Sequence, residues 1–97
     1  MMTFEDIQFR EKQFGGWAAR IPLKDGHAMS IIAGKHAYSS PREDLQNVKD
    51  YDLFEIAVFD NGGDFVTYRF AAECTKDDGV KGWVPREEIL EIIKNHG

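Results

Sequence analysis

Cysteine and long apolar runs are scarce in this chain of 97 residues. Cys74 is the only cysteine, so an intrachain disulfide is excluded and a reducing cytoplasm is expected. No apolar run approaches the roughly 20 residues needed to cross a bilayer. The stretch MMTFEDIQFREKQ is mixed in character and lacks the apolar centre of a secretory signal. The sequence therefore predicts a soluble cytoplasmic protein.

Motifs for metals and cofactors are also missing. The three histidines and the single cysteine show none of the pairwise spacings of zinc sites. A calcium loop starting at Asp60 would need an acidic ligand at its twelfth position, where Ala71 stands. Gly79 and Gly82 lack the frame of a phosphate-binding loop. We therefore expect no cofactor and no bound metal.

Charge is uneven along the chain. The formal net charge is −5, and positions 43–91 hold thirteen acidic but only five basic residues. A negative field repels nucleic acid and anionic membranes and steers a protein towards basic surfaces. The sequence therefore predicts a partner protein with a basic surface, and neither direct nucleic-acid binding nor membrane binding. Self-association into a homodimer is left open.

Aromatic residues are plentiful, with 7 Phe, 3 Tyr and 2 Trp. Each buries about 150–250 Å² in a core, enough to stabilise a small fold without disulfides. A chain of this length buries roughly two thirds of its unfolded surface and does not divide into two adequate cores. We expect one domain covering residues 1–97.

Two hairpins are predicted from alternating patterns. Residues 17–23 and 27–34 alternate in character and flank Asp25-Gly26, whose residues tolerate the positive φ angles of a tight turn. Residues 53–59 and 65–70 are rich in aromatic and β-branched side chains and flank a turn over 60–64. Upstream, the spacing of Phe4, Ile7 and Phe9 fits either an edge strand or a short helix, and we predict the strand.

The last residues predict a helix. Ile89, Ile92 and Ile93 share one helical face, with Leu90 beside them, and Pro85 suits the first helical position. Glu87 and Glu88 fall in the first turn, where carboxylates complement the helix dipole. An isolated helix of about ten residues is marginal, so we expect its isoleucines to dock on the sheet.

The stretch HAYSSPRED at 36–44 is dense in groups that catalysis uses. Ser40, Pro41 and Glu43 fit the N-cap, N1 and N3 positions of a capping box, which predicts a short helix here. A small hydrolase that pairs His36 with Ser39 or Ser40 is the alternative, and it requires a hydrogen bond between imidazole and hydroxyl in a concave pocket. No glycine-framed elbow exposes either serine, so capping is the favoured interpretation.

The expected fold class is α+β. We predict an antiparallel sheet of four or five strands packed against a C-terminal helix, with a short helix between strands three and four. The expected core consists of Phe9, Trp17, Ile21, Ile31, Phe54, Ile56, Val58, Phe65, Phe70, Ile89, Ile92 and Ile93.

Several short motifs, in this order, resemble a family of small uncharacterised proteins of tailed phages and prophages. They are GGWAARIPLKDGHAMSIIAG, AYS, LFEIAV and DDGVKGWVPREEILEII, which together run from Gly15 to Ile93. The chain departs from that pattern at His27, at the inserted SPREDLQNVKD and at Gly79. The resemblance implies a phage or prophage origin, a location in the cytoplasm of the host bacterium, and no established reaction or cofactor.

These observations together predict a non-enzymatic protein-binding module. The expected example is a counter-defence inhibitor, similar to an anti-CRISPR protein, that occupies a host nucleic-acid-binding protein. A structural or oligomerising phage component is the alternative. The residues expected to meet a basic partner are Asp50, Asp52, Asp77, Asp78, Glu87 and Glu88, with Trp83 and Tyr38 as anchors.

Overall fold

The computed structural model describes residues 3–13 and 15–97 and has an α+β fold. Five antiparallel strands form one sheet in the order β1-β2-β3-β4-β5, so neighbours in sequence are neighbours in space. The strands are β1 (Arg10–Glu11), β2 (Trp17–Pro22), β3 (Ala28–Ala33), β4 (Leu53–Phe59) and β5 (Lys81–Pro85), and they are followed by helix α1 (Arg86–His96). The predicted fold class is confirmed.

A short helical turn does lie between strands three and four, but it begins after the position that the capping box predicted. It is a 3₁₀ turn at Val48–Asp50, and Asn47 caps it by accepting a hydrogen bond from the Lys49 amide at 3.0 Å. Among the described residues, no helix is long and apolar enough to cross a bilayer.

One face of the sheet, which we call the inner face, carries the core. Strand alternation places Met29 opposite Ile21 and Val58, and Ile31 opposite Ile56, with each side chain pointing inward. Ile89 and Ile92 of α1 pack against these residues and are almost fully buried. The outer face carries Arg20, Ser30 and Ala57 in one row across β2, β3 and β4.

The first predicted hairpin is confirmed. Asp25 and Gly26 connect β2 to β3 with φ angles of 60° and 79°. Both angles lie in the left-handed region that aspartate and glycine tolerate, so the turn chemistry sets the register of the hairpin.

The second predicted hairpin is wrong in its second strand. The chain reverses after β4, but pairing stops after one bridge between Phe59 and Phe65, and Thr67–Arg69 forms a 3₁₀ turn. Thr67 causes the change, because its buried hydroxyl accepts from the Val58 amide and donates to the Gly79 carbonyl, both at 2.9 Å. A side chain therefore takes the acceptor position that a paired strand would have supplied.

The fifth strand lies instead at Lys81–Pro85, where no strand was predicted and where the helix was expected to start at Pro85. Pro85 is the N-cap of α1 rather than its first helical residue. The bounds therefore move by one residue, while the predicted helix itself is confirmed.

The capping box predicted at Ser40 is absent. The Ser40 backbone instead pairs with Leu53, donating to its carbonyl at 3.0 Å and accepting from the Asp52 amide at 2.8 Å. Residues 41–47 form no helix, and long-range contacts hold this loop. The indole of Trp17 donates to the Leu45 carbonyl at 3.0 Å, and the buried Tyr51 hydroxyl bonds to the Leu45 amide and the Glu43 carbonyl.

The N-terminal segment differs from the predicted edge strand. It forms a 3₁₀ turn at Phe4–Asp6 and then only the two-residue strand β1, while Phe4 and Phe9 pack on Phe54 with ring centroids 5.1 and 5.9 Å away. In a strand continuing over residues 4–9, Phe4 and Phe9 would point to opposite faces, so both rings could not contact Phe54.

Most of the expected core is buried or packs against the core, but Phe65 is wrong, with 51% of its surface exposed. Its prediction depended on the strand that Thr67 prevents. Tyr51 and Val84, which were not among the expected core residues, are fully buried.

Candidate functional site

Tyr38 and Trp83 form an exposed aromatic pair on the outer face. Their ring centroids lie 5.3 Å apart, and 43% and 55% of the two residues is exposed. The guanidinium of Arg42 lies 5.0 Å from the centroid of the Tyr38 ring, a cation–π distance. The structure therefore places the two predicted anchors beside each other, although 44 residues separate them in the chain. We call Tyr38 and Trp83 the aromatic pair.

A β-bulge presents Trp83. Lys81 lies opposite Ile56 and Val84 opposite Phe54, so Gly82 and Trp83 together oppose one residue of β4. Trp83 has a φ of 53°, in the left-handed region that costs a residue with a Cβ about 1–2 kcal/mol. A large side chain held in that conformation and left exposed is unusual, and strained residues of this kind are concentrated at functional sites.

Two hydrogen bonds hold the Tyr38 backbone above β4 and β5. The Tyr38 amide donates to the Glu55 carboxylate at 3.0 Å, and the Tyr38 carbonyl accepts from the Trp83 amide at 2.8 Å. Gly82 makes this approach feasible, because a Cβ there would lie 2.5 Å from the Cβ of Tyr38. The aromatic pair is thus attached to the sheet through its backbone, which leaves both rings to the solvent.

Ser39 organises the loop that carries Tyr38. The side chain is buried, and its Oγ accepts from the Gly34 amide at 3.1 Å. The same hydroxyl lies 3.2 Å from the Gly34 carbonyl and 3.1 Å from the Pro41 carbonyl, the two groups to which it can donate. Asp44 adds a second tie by accepting from the Lys35 amide at 2.8 Å. The polar residues of 36–44 therefore order backbone at this place, through other contacts than the predicted capping box.

The contact that the hydrolase alternative requires is not formed. Ser39 bonds to Gly34 and Pro41, and Ser40 bonds through its backbone to Asp52 and Leu53, so neither serine is seen bonded to His36. His36 is exposed and lines a shallow cavity of about 320 Å³ together with Lys12 and Lys35, and the described residues around that cavity include neither Ser39 nor Ser40.

The six predicted acidic residues are spread over several elements. Asp78 accepts from the amide and the hydroxyl of Thr75 at 3.0 and 3.2 Å, and Glu88 forms an ion pair with Lys81 at 2.7 Å. These two carboxylates thus have intramolecular partners. The others are exposed and lie at or beside the Val48–Asp50 turn (Asp50, Asp52), in the loop before β5 (Asp77) and in the first turn of α1 (Glu87).

Cys74 lies beside the Lys81–Glu88 ion pair. Partial burial raises the pKa of its thiol, and the carboxylate of Asp78 raises it further, while the ammonium of Lys81 opposes that change. Cys74 is therefore a thiol rather than a thiolate at neutral pH, and its nucleophilicity is low.

Within residues 3–13 and 15–97, no three histidine, cysteine or acidic side chains lie close enough together to hold a metal ion. Comparison of the chain with protein-family models, with curated proteins and with solved structures finds no match. The interpretation of the site therefore depends on its own geometry.

The sequence pointed to Tyr38 and Trp83 separately as candidate anchors, but it did not predict that the two residues lie in contact. The Gly-Trp step before Val84 is the local signal, because glycine inside a strand pattern often marks a bulge or the close approach of another backbone segment. The pairing with Tyr38 has no local signal, since it depends on where the loop after β3 crosses β4.

Proposed function

We propose that this protein is a non-enzymatic protein-binding module and that the aromatic pair anchors its partner. The supporting observation is the exposure of Trp83 on a strained backbone beside Tyr38 and Arg42. Tryptophan, tyrosine and arginine are the residue types that most often dominate binding energy in protein interfaces. A rigid pair of rings loses little conformational entropy on binding, which favours its use as an anchor.

The partner that we propose has a pocket for the two rings and a basic surface around it. The net charge of −5 supports the second feature, because a negative field accelerates encounter with basic proteins. Asp50, Asp52, Asp77 and Glu87 supply exposed carboxylates for this steering. The same field disfavours direct binding to phosphate backbones.

The biological setting remains a prediction that rests on the resemblance of the motifs. It comprises a phage or prophage origin, action in the cytoplasm of the host bacterium, and inhibition of a host nucleic-acid-binding protein. The alternative, a structural or oligomerising phage component, predicts a defined dimer or larger assembly. Size-exclusion chromatography with light scattering distinguishes the two, because a strict monomer contradicts the alternative.

Affinity capture tests the proposal with a matched control. The intact chain and its Trp83→Ser, Tyr38→Ser and Phe65→Ser variants are used to capture proteins from lysate of the bacterium that carries the gene. Phe65 is an exposed aromatic residue outside the pair, so its variant controls for general loss of apolar surface. We expect the two variants of the pair to retain at least about tenfold less partner, equivalent to about 1.4 kcal/mol, and the Phe65 variant to retain it fully.

Two results would contradict this assignment. The first is equal capture of the same partner by the intact chain and by both variants of the aromatic pair. The second is capture that does not weaken as ionic strength rises, which would contradict the proposal that the acidic residues steer the partner electrostatically.

A further inference from the structure

The edge of β2 is largely unpaired. Strand β1 covers only Trp17 and Ala18, through the pairs Glu11–Trp17 and Arg10–Ala18. Beyond them, residues 19–22 have no neighbouring strand on the side away from β3 among the residues that the structure describes. Arg20 and Pro22 are both exposed there.

The register shows which backbone groups face this edge. Leu23 donates to the His27 carbonyl at 2.8 Å, so Leu23 bonds towards β3, and so do Ile21 and Ala19 by alternation. On the other side, the Gly16 carbonyl accepts from the Lys12 amide at 2.9 Å, so even-numbered residues face outward. The free edge therefore offers the amide and carbonyl of Arg20 and the carbonyl of Pro22.

An apolar groove adjoins this edge on the inner face. It lies between Ile21 and Pro22 of β2 and Leu90 and Ile93 of α1, and its volume is about 660 Å³. Leu90 and Ile93 are only half buried, because the core takes up Ile89 and Ile92 instead. Side chains of a strand added to β2 would alternate between this groove and the outer face.

Charged residues border the groove on the helix side. Glu87 and Glu91 lie one turn apart on α1, and Lys94 follows them along the same wall. Glu87 in the first turn and Glu91 in the middle of the helix, whose carboxylate also accepts from the Asn95 side-chain amide at 3.3 Å, favour a cationic side chain at that wall of the groove. Arg20 points to the outer face, where an acidic or neutral side chain would lie beside it.

We propose that this edge and groove bind an extended segment of a partner protein by strand addition to β2. The segment has apolar side chains at alternate positions, which enter the groove, and a lysine or arginine that reaches Glu87 and Glu91. Main-chain bonds to Arg20 provide affinity, and the groove provides specificity. A second copy of this chain is the poorer occupant, because antiparallel self-pairing centred on Arg20 would place two guanidinium groups opposite each other, and Pro22 removes the next donor.

This surface is separate from the aromatic pair. Trp83 lies on β5, three strands away from β2 in the sheet. The inference adds a second contact surface to the proposed function but does not depend on Tyr38 or Trp83.

Three synthetic peptides, a probe and two N-methylated versions of it, test the inference on the full chain. The probe is an acetylated nine-residue peptide with lysine at each end and three valines at positions 3, 5 and 7 separated and flanked by threonines, so the lysines share the face of the valines. If its valines fill the groove, the threonine opposite Arg20 exchanges both backbone bonds with Arg20. N-methylation of the threonine amides should therefore weaken binding at least tenfold, while N-methylation of the valine amides, which face away from β2, should leave affinity unchanged. Fluorescence anisotropy of the labelled peptides measures the three affinities.

Amide hydrogen exchange locates the contact. Saturating probe should slow exchange of the Arg20 amide at least tenfold. The Glu87→Gln/Glu91→Gln double variant should bind the probe at least threefold more weakly, and Glu43→Gln, which changes an exposed carboxylate in the loop after β3, should not weaken binding. Trp83→Ser should bind the probe with unchanged affinity, so failure here and failure of the aromatic-pair proposal are distinguishable.

Several outcomes would overturn the inference. They are unchanged exchange of the Arg20 amide at saturating probe, equal weakening by both N-methylated peptides, and unchanged affinity in the Glu87/Glu91 variant. A concentration-dependent dimer that competes with the probe and dissociates in Arg20→Pro but not in Arg20→Thr would assign the edge to a second copy instead. Both variants remove the guanidinium, but only proline also removes the outward amide.

Discussion

Trp83 combines two unfavourable features at one residue: a left-handed backbone and a largely exposed apolar ring. Glycine would adopt the same φ without strain, and a polar side chain would suit the exposure better. The Tyr38 contact compensates in part, since aromatic pairs contribute about 0.5–1.5 kcal/mol beyond their burial. The remaining cost is the reason to attribute a binding role to this residue rather than a purely structural one.

Two substitutions at position 83 separate the ring from the backbone. Both Trp83→Gly and Trp83→Ala remove the contact with Tyr38, but only glycine relieves the left-handed strain. We expect the glycine variant to have a free energy of unfolding about 1 kcal/mol higher than that of the alanine variant. Urea denaturation monitored by far-UV circular dichroism measures the difference. Equal stability of the two variants would indicate that residue 83 is not held at positive φ.

Polar residues in the loop after β3 show how single side chains replace secondary structure. Ser39 and Asp44 bond to backbone amides that neither a strand nor a helix satisfies. Such groups must find partners when they leave the solvent, because each unpaired one costs about 1–3 kcal/mol. The chain in this loop leaves backbone amides without strand or helix partners, and this explains why the polar side chains Ser39 and Asp44 are placed there.

At the scale of elements, Thr67 decides which segment becomes the fifth strand. Its hydroxyl ends the pairing of residues 65–70 with β4 and at the same time ties Gly79 to that region, just before β5 begins. Helix α1 follows β5 directly, so the position of β5 also determines where α1 crosses the inner face.

Two substitutions at Thr67 test this role. Thr67→Val keeps the shape but leaves the Val58 amide and the Gly79 carbonyl without a partner, so the free energy of unfolding should fall by about 1–3 kcal/mol. Thr67→Ser keeps the hydroxyl and loses one methyl group, worth about 0.8 kcal/mol. Amide exchange at Val58 should become faster in the valine variant only. Acceleration of the same size in both variants would mean that the hydroxyl does not protect this amide.

At the scale of the whole molecule, one core connects distant parts of the chain. Its buried residues come from β2 to β5, from α1, from the N-terminal segment through Ile7, and from connecting segments through Leu23, Tyr51, Val66 and Ala71. Arg86 adds a connection outside the core, since it donates to the carbonyls of Lys49 and Tyr51 at 2.8 and 2.7 Å and lies 5.2 Å from the centroid of the Phe4 ring.

A continuous core predicts a single cooperative unfolding transition, as expected for one domain. In a Trp83→Phe background, the fluorescence of Trp17 reports on the β2 side of the sheet, and far-UV circular dichroism reports on α1 and the strands. We expect the two urea transitions to coincide within error. A helix signal that is lost at lower urea than the Trp17 signal would show that α1 unfolds independently.

Much of the fold follows from local chemistry that the sequence displays. Three features show this: the Asp25-Gly26 turn, the alternation in β2, β3 and β4, and the isoleucine spacing of α1. Each depends only on residues that are close together in the chain. Local patterns of this kind specify an element and its buried face, and here they led to the correct fold class.

The tertiary structure alone decided the arrangement of the candidate site. Whether residues 65–70 or 81–85 complete the sheet depends on the Thr67 hydroxyl meeting both the Val58 amide before it and the Gly79 carbonyl after it in the chain. The meeting of Tyr38 and Trp83 depends on a loop crossing β4 over a residue that lacks a Cβ. Long-range contacts of this kind are selected by the packing of the whole chain, and a local sequence window contains only one of the two partners.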